Sequence, residues 1–401
     1  QIETVGNLVD AIFDGNARHA ALRIKSLVTG KIGQLAINRA GVKNLRSGAR
    51  LLMPAAMNDQ QAQATPGKPI DYRDPAPFSI EAQGQSLTFY PGGSDRLKAL
   101  VDMIGNAQAS LDLCYYMFVD DNDGRRVRDA LTDAARRGVQ VRLIIDSYGS
   151  DVPDLFFDAL TKEGGQFWSF SAKWSRRYLI RNHQKMAIGD GETALIGGFN
   201  VEREYFAPPH QNGWHDLGLA VEGSAVGELL RWFEELVDWV GRPKAQFRVM
   251  RNKVNNWDSG SGPVRLLIGG PTNGLSSWAR CVGRDLDQGR RLDMVMAYFS
   301  PSKKLLKRIG RIAEKGETRL VMAGKSDNGA TIGATRSLYD YLLRKRANIW
   351  EFRACKLHMK LLVLDDAIYV GSANFDMRSL YINLELMLRI EDAALAERMR
   401  T

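Results

Sequence analysis

Two stretches of the sequence decide the fold, and each begins with a histidine and a lysine two residues apart. The first reads HQKMAIGDGETALIGGFN over residues 183–200, and the second reads HMKLLVLDDAIYVGSAN over residues 358–374. In both, an apolar run leads to an aspartate, and a Gly-Gly or Gly-Ser pair precedes an asparagine. One such string would be a weak signal, whereas two in one chain indicate a duplicated unit.

The repetition extends beyond these motifs. SLDLCYYMF at 110–118 matches RLDMVMAYF at 291–299, and each is followed by an amphipathic helix that ends at Gly138 or Gly316 before a buried strand. Strands that alternate with helices predict an α/β fold. We expect two similar lobes, each a mixed β-sheet flanked by helices, related by a pseudo-two-fold axis with one active site between them.

Composition and proline content suggest four segments. The predicted boundaries are 1–60 for a basic amphipathic N-terminal segment, 61–84 for a proline-rich linker, 85–255 for the first lobe and 256–401 for the second lobe.

The positive charge is concentrated in the N-terminal segment. Residues 1–58 contain eight basic and three acidic residues, which is +5 of the net +9. Such a segment suits an anionic surface, lipid or nucleic acid, although a solvated helix face would have the same composition. No apolar run reaches the length of a membrane-spanning helix, and an anchor upstream of Gln1 stays open. The three cysteines are scattered, which argues against a disulfide framework or a zinc site.

The motif residues suit phosphodiester exchange. A neutral imidazole can attack phosphorus, and a second imidazole can protonate the leaving alkoxide and later deprotonate the incoming alcohol. Lysine ammonium groups and asparagine amides can hold the phosphoryl oxygens, so neither a metal nor another cofactor is expected. The predicted catalytic residues of this kind are His183, Lys185, Asn200, His358, Lys360 and Asn374.

Four carboxylates complete the predicted site. In the aligned repeats Asp216 matches Glu385, and we expect each to accept the Nδ1 proton of a motif histidine and fix its tautomer. An ordinary ion-paired carboxylate is the alternative. Asp190 and Asp365, inside the motifs, are assigned to ion pairs of the scaffold rather than to proton transfer.

The motifs together with GGFNVEREY (197–205), WHDLGLAVEG (214–223) and GSANFDMRS (371–379) resemble the phospholipase D superfamily. Within it, the sequence is most similar to bacterial cardiolipin synthases, over about residues 85–400. The resemblance implies a metal-independent mechanism with a phosphatidyl-histidine intermediate. By motif position it makes His183 the nucleophile and His358 the general acid and base, although the near-symmetry permits the reverse.

The chain departs from the pattern of that family at three places. Gln184 stands where a basic residue is common between the histidine and the lysine. Gly198 stands where the second motif has Ser372, which we expect to remove a hydroxyl from the phosphate cradle. The usual pair of N-terminal membrane spans is not visible. This last departure and Gln184 bear on membrane attachment and substrate details more than on reaction class.

The resemblance predicts a phosphatidyl transferase that makes cardiolipin from phosphatidylglycerol. It implies a phospholipid substrate, peripheral contact with an anionic membrane and a location at its cytoplasmic face. Phospholipase D hydrolysis to phosphatidic acid is an alternative, as is a nuclease-type phosphodiesterase. Nucleic acid is disfavoured because residues 59–401 carry only +4 of the net charge. The sequence does not determine the oligomeric state.

Overall fold

The computed structural model describes residues 72–150, 152–153, 155–171, 180–242 and 247–401. The predicted basic segment 1–60 therefore lies outside the described residues, and so do residues 61–71 of the predicted linker.

The described chain is built from short strands and helices that alternate. The strands are β1 Phe78–Ala82, β2 Gln85–Tyr90, β3 Ser110–Tyr115, β4 Gln140–Asp146, β5 Gln166–Phe170, β6 Met186–Gly189, β7 Thr193–Gly197, β8 Trp214–His215, β9 Gly218–Glu222, β10 Val264–Gly269, β11 Arg291–Met296, β12 Phe299–Ser300, β13 Glu317–Ala323, β14 Asn348–Phe352, β15 Lys356–Leu357, β16 Lys360–Leu364, β17 Ala367–Gly371, β18 Phe375–Asp376 and β19 Glu385–Glu391. The helices are α1 Gly93–Asn106, α2 Asn122–Arg136, α3 Asp158–Lys162, α4 Arg203–Phe206, α5 Ser224–Val240, α6 Phe247–Asn255, α7 Ser277–Gln288, α8 Lys303–Lys315, α9 Gly329–Arg336, α10 Tyr339–Arg344, α11 Met377–Tyr381 and α12 Ala393–Arg400.

The two large sheets repeat the same topology. The first has the order β1-β2-β9-β7-β6-β3-β4-β5, and the second has the order β10-β19-β17-β16-β11-β13-β14. Without β1 the two orders correspond strand for strand. In each sheet the last three strands are parallel and the remaining neighbours are antiparallel. The predicted α/β fold of two similar lobes with mixed sheets is therefore confirmed.

The β–helix–β unit forms as the repeat predicted. Helix α2 begins where the Asp121 carboxylate accepts the N–H groups of Asp123 and Gly124, and the chain leaves it through Gly138 at φ 91°. Helix α8 ends at Gly316 in the second copy. Each helix buries an apolar face on its sheet, and β4 or β13 follows at once.

Strand β1 corrects one boundary. Its residues Phe78–Ala82 fall inside the range 61–84 that we expected to be a linker. They pair antiparallel with β2 and alternate in burial, and Phe78 stacks on Phe89 of β2 at 5.0 Å. The nearby prolines favoured a linker, although these five residues alternate between apolar and polar side chains, which is enough for an edge strand.

The apolar core has three parts. One lies on the helical side of the first sheet, one on the helical side of the second, and the third contains residues of both sheets and of α5 and α12. This shared core includes Ile188 and Leu219 of the first lobe and Val363 and Leu388 of the second. The two lobes therefore pack against each other through the sheet faces that also carry the two motifs.

Candidate active site

Each motif histidine is brought to the site by a short parallel pairing between the lobes. Strand β15 pairs with β8, and the His358 N–H donates to the His215 carbonyl oxygen at 2.8 Å. Reciprocally, Asn182 forms a bridge with Leu384, and the His183 N–H donates to the Leu384 carbonyl oxygen at 2.9 Å. The residue after each of these acceptors is a carboxylate of the opposite lobe, so the backbone register places histidine and carboxylate side by side.

His183 of the first lobe is held by Glu385 of the second. Its Nδ1 lies 3.0 Å from Glu385 Oε1 and 3.1 Å from Oε2. Glu385 is fully buried, and it also accepts hydrogen bonds from the hydroxyls of Ser372 at 2.5 Å and Ser379 at 2.8 Å. An Nδ1–H donated to the carboxylate leaves the Nε2 lone pair of His183 for another partner.

His358 of the second lobe is held by Asp216 of the first. Its Nδ1 lies 2.7 Å from Asp216 Oδ2, and the other carboxylate oxygen accepts the Leu217 N–H at 2.7 Å. Both side chains are buried. The predicted pairing of motif histidines with Asp216 and Glu385 is thus present in the geometry, and the pairs cross between the lobes. Their part in catalysis stays a prediction.

Two buried lysines supply positive charge beside both histidines. Lys185 and Lys360 are each about 1% exposed, and the ammonium group of each donates to the carbonyl oxygen of its own motif histidine. Burial lowers the pKa of Lys185 to about 7 and that of Lys360 to about 8. Burial, followed by these lysine charges, keeps the pKa of His183 well below its usual value, so its imidazole is neutral.

The two asparagines of the motifs are buried close to the strands that carry the histidines. Asn200 Oδ1 accepts the Met117 N–H at 3.1 Å, so its amide NH₂ is the end left for a ligand. Asn374 is 4% exposed, and its Oδ1 has no hydrogen-bond partner within the described part of the chain. Both positions are therefore compatible with the predicted contact to phosphoryl oxygens.

The surroundings of the two carboxylates differ in charge. Burial raises the pKa of Asp216, but the hydrogen bond from His358 and the charges of Lys360 and Arg96 outweigh it, so the net shift is downward. For Glu385 burial dominates and raises the pKa to about 8. Asp216 is thus held as a carboxylate, whereas Glu385 is poised closer to its neutral form.

Arg96 is a residue that the sequence analysis missed. Its side chain is fully buried, and its guanidinium donates to four backbone carbonyl oxygens at 2.5–3.1 Å. The acceptors belong to Pro91, Asp216, Tyr205 and Trp214. Arg96 therefore fixes the loop that carries Asp216 and adds positive charge behind its carboxylate. The sequence signal, an arginine on the apolar face of α1, is visible only once that helix is placed.

The Gly198 and Ser372 positions correct another expectation. The Ser372 hydroxyl donates to Glu385 and does not line a cradle for phosphate. A Cβ added at Gly198 would lie 2.7 Å from both carboxylate oxygens of Asp216 and 2.9 Å from Lys360 Cδ. Glycine is required there because the side chains of Asp216 and Lys360 occupy the space where a serine would begin.

Asp190 and Asp365 lie away from the histidines. Both sit at positive φ in the turns that close the β6–β7 and β16–β17 hairpins, roughly 17 Å of strand from the motif lysines. Their carboxylates accept backbone N–H groups: Ala109 and Ser110 at 2.7 and 2.9 Å for Asp190, and the N–H groups of residues 290 and 291 for Asp365. The expected ion pairs are replaced by backbone hydrogen bonds, which fix the turn to the neighbouring strand.

Gln184 joins the lobes from inside the core. Its side-chain oxygen accepts the Trp232 indole N–H at 3.0 Å, and its amide donates to the Glu385 carbonyl oxygen at 3.1 Å. The matching residue of the second motif is Met359, which packs in the shared apolar core. A glutamine between the histidine and the lysine is therefore used for packing, facing away from the reactive groups as strand alternation requires.

Among the residues that the structure describes, no group of three or more His, Cys, Asp or Glu side chains is positioned to hold a metal ion.

The fold and the site define a two-lobed protein of the phospholipase D type. Solved structures that are similar in fold include the phosphatidylserine synthase of Haemophilus influenzae, with a TM-score of 0.65, 14% identity and coverage of 81% of this chain and 86% of that one. The polyphosphate kinase of Porphyromonas gingivalis aligns with a TM-score of 0.53 and 13% identity over 87% of this chain and 50% of that one. At such identities the likeness shows the fold alone.

Sequence comparison gives the family. The profile of the family described as "Cardiolipin synthase, PLD-like domain" matches residues 100–237 and 284–401, and the chain therefore belongs to that family. The major cardiolipin synthase of Bacillus subtilis is 28% identical over 335 residues, covering 80% of this chain and 68% of that protein. Cardiolipin synthase B of Escherichia coli is 27% identical over 327 residues, covering 79% of each. The match to cardiolipin synthase 1 of Staphylococcus aureus covers 66% of that relative.

Proposed function

We propose that this protein is a phosphatidyl transferase that makes cardiolipin from phosphatidylglycerol through a phosphatidyl-histidine intermediate. The observation that carries the proposal is the pair of crossed histidine–carboxylate contacts around two buried lysines. Such an arrangement supplies a nucleophile, an acid and base, and charge to hold a phosphodiester. The family membership supports a phospholipid as substrate.

In the first half-reaction His183 attacks the donor. Its Nε2 lone pair forms a bond to phosphorus while the Nδ1–H stays donated to Glu385. The bond between phosphorus and the head-group oxygen breaks, and His358 protonates that oxygen so that glycerol leaves. Lys185 and Lys360 neutralise the phosphoryl oxygens, whose charge persists through the transition state.

In the second half-reaction the acceptor replaces the histidine. His358, now neutral, takes the proton of a hydroxyl on a second phosphatidylglycerol, and the oxygen forms a bond to phosphorus. The bond to His183 Nε2 breaks, and cardiolipin leaves. Two phosphatidylglycerols thus give one cardiolipin and one glycerol, with His358 returned to its protonated state.

The charge difference between the two carboxylates supports this order of roles. The acid must carry a proton as imidazolium, and the ionised Asp216 beside His358 stabilises that cation. In the free protein burial and the lysines lower the pKa of His358 to about 3. An arriving phosphodiester anion offsets the lysine charges and raises that pKa, so protonation is coupled to substrate binding. His183, beside the more weakly acidic Glu385, remains neutral as a nucleophile must.

We also propose that the protein contacts an anionic membrane peripherally, at its cytoplasmic face, with the basic residues 1–60 taking part. No helix within the described part of the chain is long and apolar enough to cross a bilayer. We propose, as a separate point, that the boundary between the two lobes lies near residue 255.

The test is lipid mass spectrometry of the purified protein incubated with phosphatidylglycerol vesicles. Cardiolipin and glycerol are expected from the wild-type protein and should be absent with His183→Ala. Intact-protein mass spectrometry of His358→Ala should show a trapped phosphatidyl adduct, because His183 still attacks slowly while transfer to the acceptor lacks its base. Phosphatidic acid as the only product would assign the protein as a hydrolase. DNA cleavage without any lipid product would overturn the substrate class.

A further inference from the structure

One wall of the site carries hydrogen-bond acceptors that the mechanism above leaves without a role. It is formed by Tyr205 of α4 and Tyr298 just before β12, which lie beside His358, and by Asp327 between β13 and α9, which accepts a hydrogen bond from Tyr298. We call these three residues the acceptor wall.

Tyr205 touches the reactive nitrogen of His358. Its hydroxyl lies 3.4 Å from His358 Nε2, and the two rings meet edge to face at 5.0 Å. Since Nδ1 is engaged by Asp216, Nε2 is the atom that exchanges a proton with the alcohol. The Tyr205 hydroxyl therefore marks the place where the alcohol oxygen must arrive and depart.

Tyr298 and Asp327 continue the wall outward. The Tyr298 ring stands perpendicular to the His358 imidazole at 6.4 Å, and its hydroxyl donates to Asp327 Oδ1 at 3.2 Å. Ser326 donates to the same oxygen at 3.1 Å. Asp327 Oδ2 and the lone pairs of the two tyrosine oxygens can then accept further hydrogen bonds. Burial, followed by the charges of Glu202, Tyr298 and Asp327, raises the pKa of Tyr205.

The fold holds the wall in place. The Ala297 N–H donates to the Met359 carbonyl oxygen at 3.1 Å, which ties the residue before Tyr298 to the residue after His358. The Tyr298 carbonyl oxygen accepts the Phe375 N–H at 3.1 Å. Helix α9, which follows Asp327, is pinned to β12 by the Thr335 hydroxyl at 3.0 Å.

The first lobe differs at the position that corresponds to Tyr298. Phe118 and Phe299 open equivalent parallel pairings in the two lobes, so the counterpart of Tyr298 is Met117. A tyrosine also lies beside His183, since the Tyr116 ring centroid is 4.9 Å from that imidazole, but it comes from the preceding position of the repeat. The Tyr298 hydroxyl paired with the Asp327 carboxylate is on the side of the proposed acid and base.

We infer that Tyr205, Tyr298 and Asp327 form the subsite for a hydroxyl-bearing head group, the glycerol of the phosphatidylglycerol donor. The inference rests on the proposed function and deepens it. The two free hydroxyls of that glycerol supply the O–H donors that the acceptor wall lacks. An ammonium head group fits less well, because the charges of Lys360 and Lys185 also act on His358, beside which the subsite lies.

The test compares donors with and without head-group hydroxyls. Phosphatidylglycerol, phosphatidylethanol and phosphatidylethanolamine are offered in otherwise identical vesicles, and the rate of phosphatidyl-enzyme formation is measured in single turnover by intact-protein mass spectrometry. The variants are Asp327→Asn and Tyr298→Phe. Asp340→Asn is the matched control, since its carboxylate is an exposed partner of Arg344 on α10.

With phosphatidylglycerol both variants are expected to react about tenfold more slowly, the effect of losing one hydrogen bond to a charged or polar partner. The loss with phosphatidylethanol should stay below about threefold, because ethanol offers no hydroxyl to the wall. A merely structural role would lower both rates equally. Equal losses, or none with phosphatidylglycerol, overturn the subsite, even though a wild-type phosphatidyl-enzyme would still uphold the proposed function.

Two further outcomes also contradict the inference. A greater loss with phosphatidylethanolamine than with phosphatidylglycerol in Asp327→Asn would assign the carboxylate to an ammonium group. If the wild-type protein forms no phosphatidyl-enzyme from any of the three lipids, the proposed function fails, and the inference fails with it.

Discussion

At the scale of single residues, the site has two histidines of the same kind in unlike electrostatic surroundings. Asp216 accepts from a backbone N–H and lies in front of the buried Arg96, whereas Glu385 accepts from two serine hydroxyls. For Glu385 burial outweighs the charges of Lys185 and Lys360 and raises the pKa, whereas for Asp216 the His358 hydrogen bond and the nearby positive charges outweigh burial and lower it. The local chemistry therefore breaks the symmetry that the duplicated motifs would otherwise impose.

Replacing the carboxylates should separate the two roles. In Asp216→Asn the amide can donate to His358 Nδ1, which fixes the wrong tautomer and no longer stabilises the imidazolium. We expect kcat to fall roughly 10³-fold or more, by analogy with other histidine–aspartate pairs. Glu385→Gln should lower kcat less, about 100-fold, because its histidine need not be protonated. Initial rates with phosphatidylglycerol, beside thermal melts that stay close to wild type, check this. The opposite ranking would reverse the assignment of nucleophile and acid.

Making the two motifs more alike should harm the protein. Gly198→Ser introduces a Cβ that meets both oxygens of Asp216 at 2.7 Å, so the carboxylate must move away from His358. We expect at least a tenfold loss of kcat. The reciprocal Ser372→Gly removes a hydroxyl that donates to Glu385 and accepts the Leu386 N–H, but it introduces no clash and should lower kcat less. Full activity in Gly198→Ser would show that Asp216 has room to adjust.

At the scale of secondary-structure elements, the site is assembled by the ends of strands rather than by their middles. β8 and β15 are two residues long, and the equivalent pairing at Asn182 is a single bridge. Their importance lies in register. A slip by one residue would turn the histidine or the carboxylate to the other face. The two large sheets and the apolar core that the lobes share hold these short pairings in that register.

A substitution at Gln184 tests how much the hydrogen bonds inside the shared core stabilise this arrangement. Gln184→Leu leaves the buried Trp232 indole N–H without its acceptor and removes a donor from the Glu385 carbonyl oxygen, and an unmatched buried group costs about 1–3 kcal/mol. We expect the free energy of unfolding in urea to fall by at least about 2 kcal/mol. Met359→Leu at the matching position is the control. It changes shape with little change in volume and should cost less than about 1.5 kcal/mol. Equal costs would mean that the glutamine hydrogen bonds add little.

At the scale of the whole molecule, buried neutral histidines couple stability to pH. His358 has a pKa of about 3 in the folded protein and near 6.5 in the unfolded chain. Between these values the unfolded chain binds more protons than the folded protein, so this histidine destabilises the fold increasingly as the pH decreases. At pH 4 the effect amounts to about 3 kcal/mol.

The effect is measurable as a difference between two proteins. Asp146 and Asp376, whose pKa values burial raises to about 6, and Glu385 contribute with the opposite sign. We would measure urea unfolding of the wild-type protein and of His358→Gln at pH 7 and pH 4. The contribution of these three carboxyl groups is common to both proteins and cancels in the difference. The variant should gain stability relative to wild type as the pH decreases. A constant difference would show that His358 is protonated in the folded protein.

Much of this architecture could be predicted from the sequence, because each copy of the repeat checks the interpretation of the other. The two motifs, the matched glycines at helix ends and the aligned Asp216 and Glu385 occur twice, so that chance is a poor explanation. The crossed pairing could not be predicted, since it depends on β8 meeting β15 from the other half of the chain. Alignment shows that two carboxylates are equivalent but not which histidine each one contacts.

The remaining surprises depend on long-range contacts or on space. Three of the four carbonyl partners of Arg96 are more than a hundred residues away in sequence, and Asp327 meets Tyr298 only through the ends of neighbouring strands. The sequence suggested that Gly198 costs the site a serine hydroxyl, because the sequence does not show that Asp216 and Lys360 fill the space beside it. Such facts follow from three-dimensional packing, which a linear pattern does not contain.

The crossed dyads also constrain how the two halves of the gene can change. Each half encodes the carboxylate that contacts the histidine of the other, so a substitution in one copy acts first on the histidine of the other copy. Under the proposed mechanism neither half can lose its catalytic role while the other stays active. Both copies would then have to be retained together, even as their surroundings specialise.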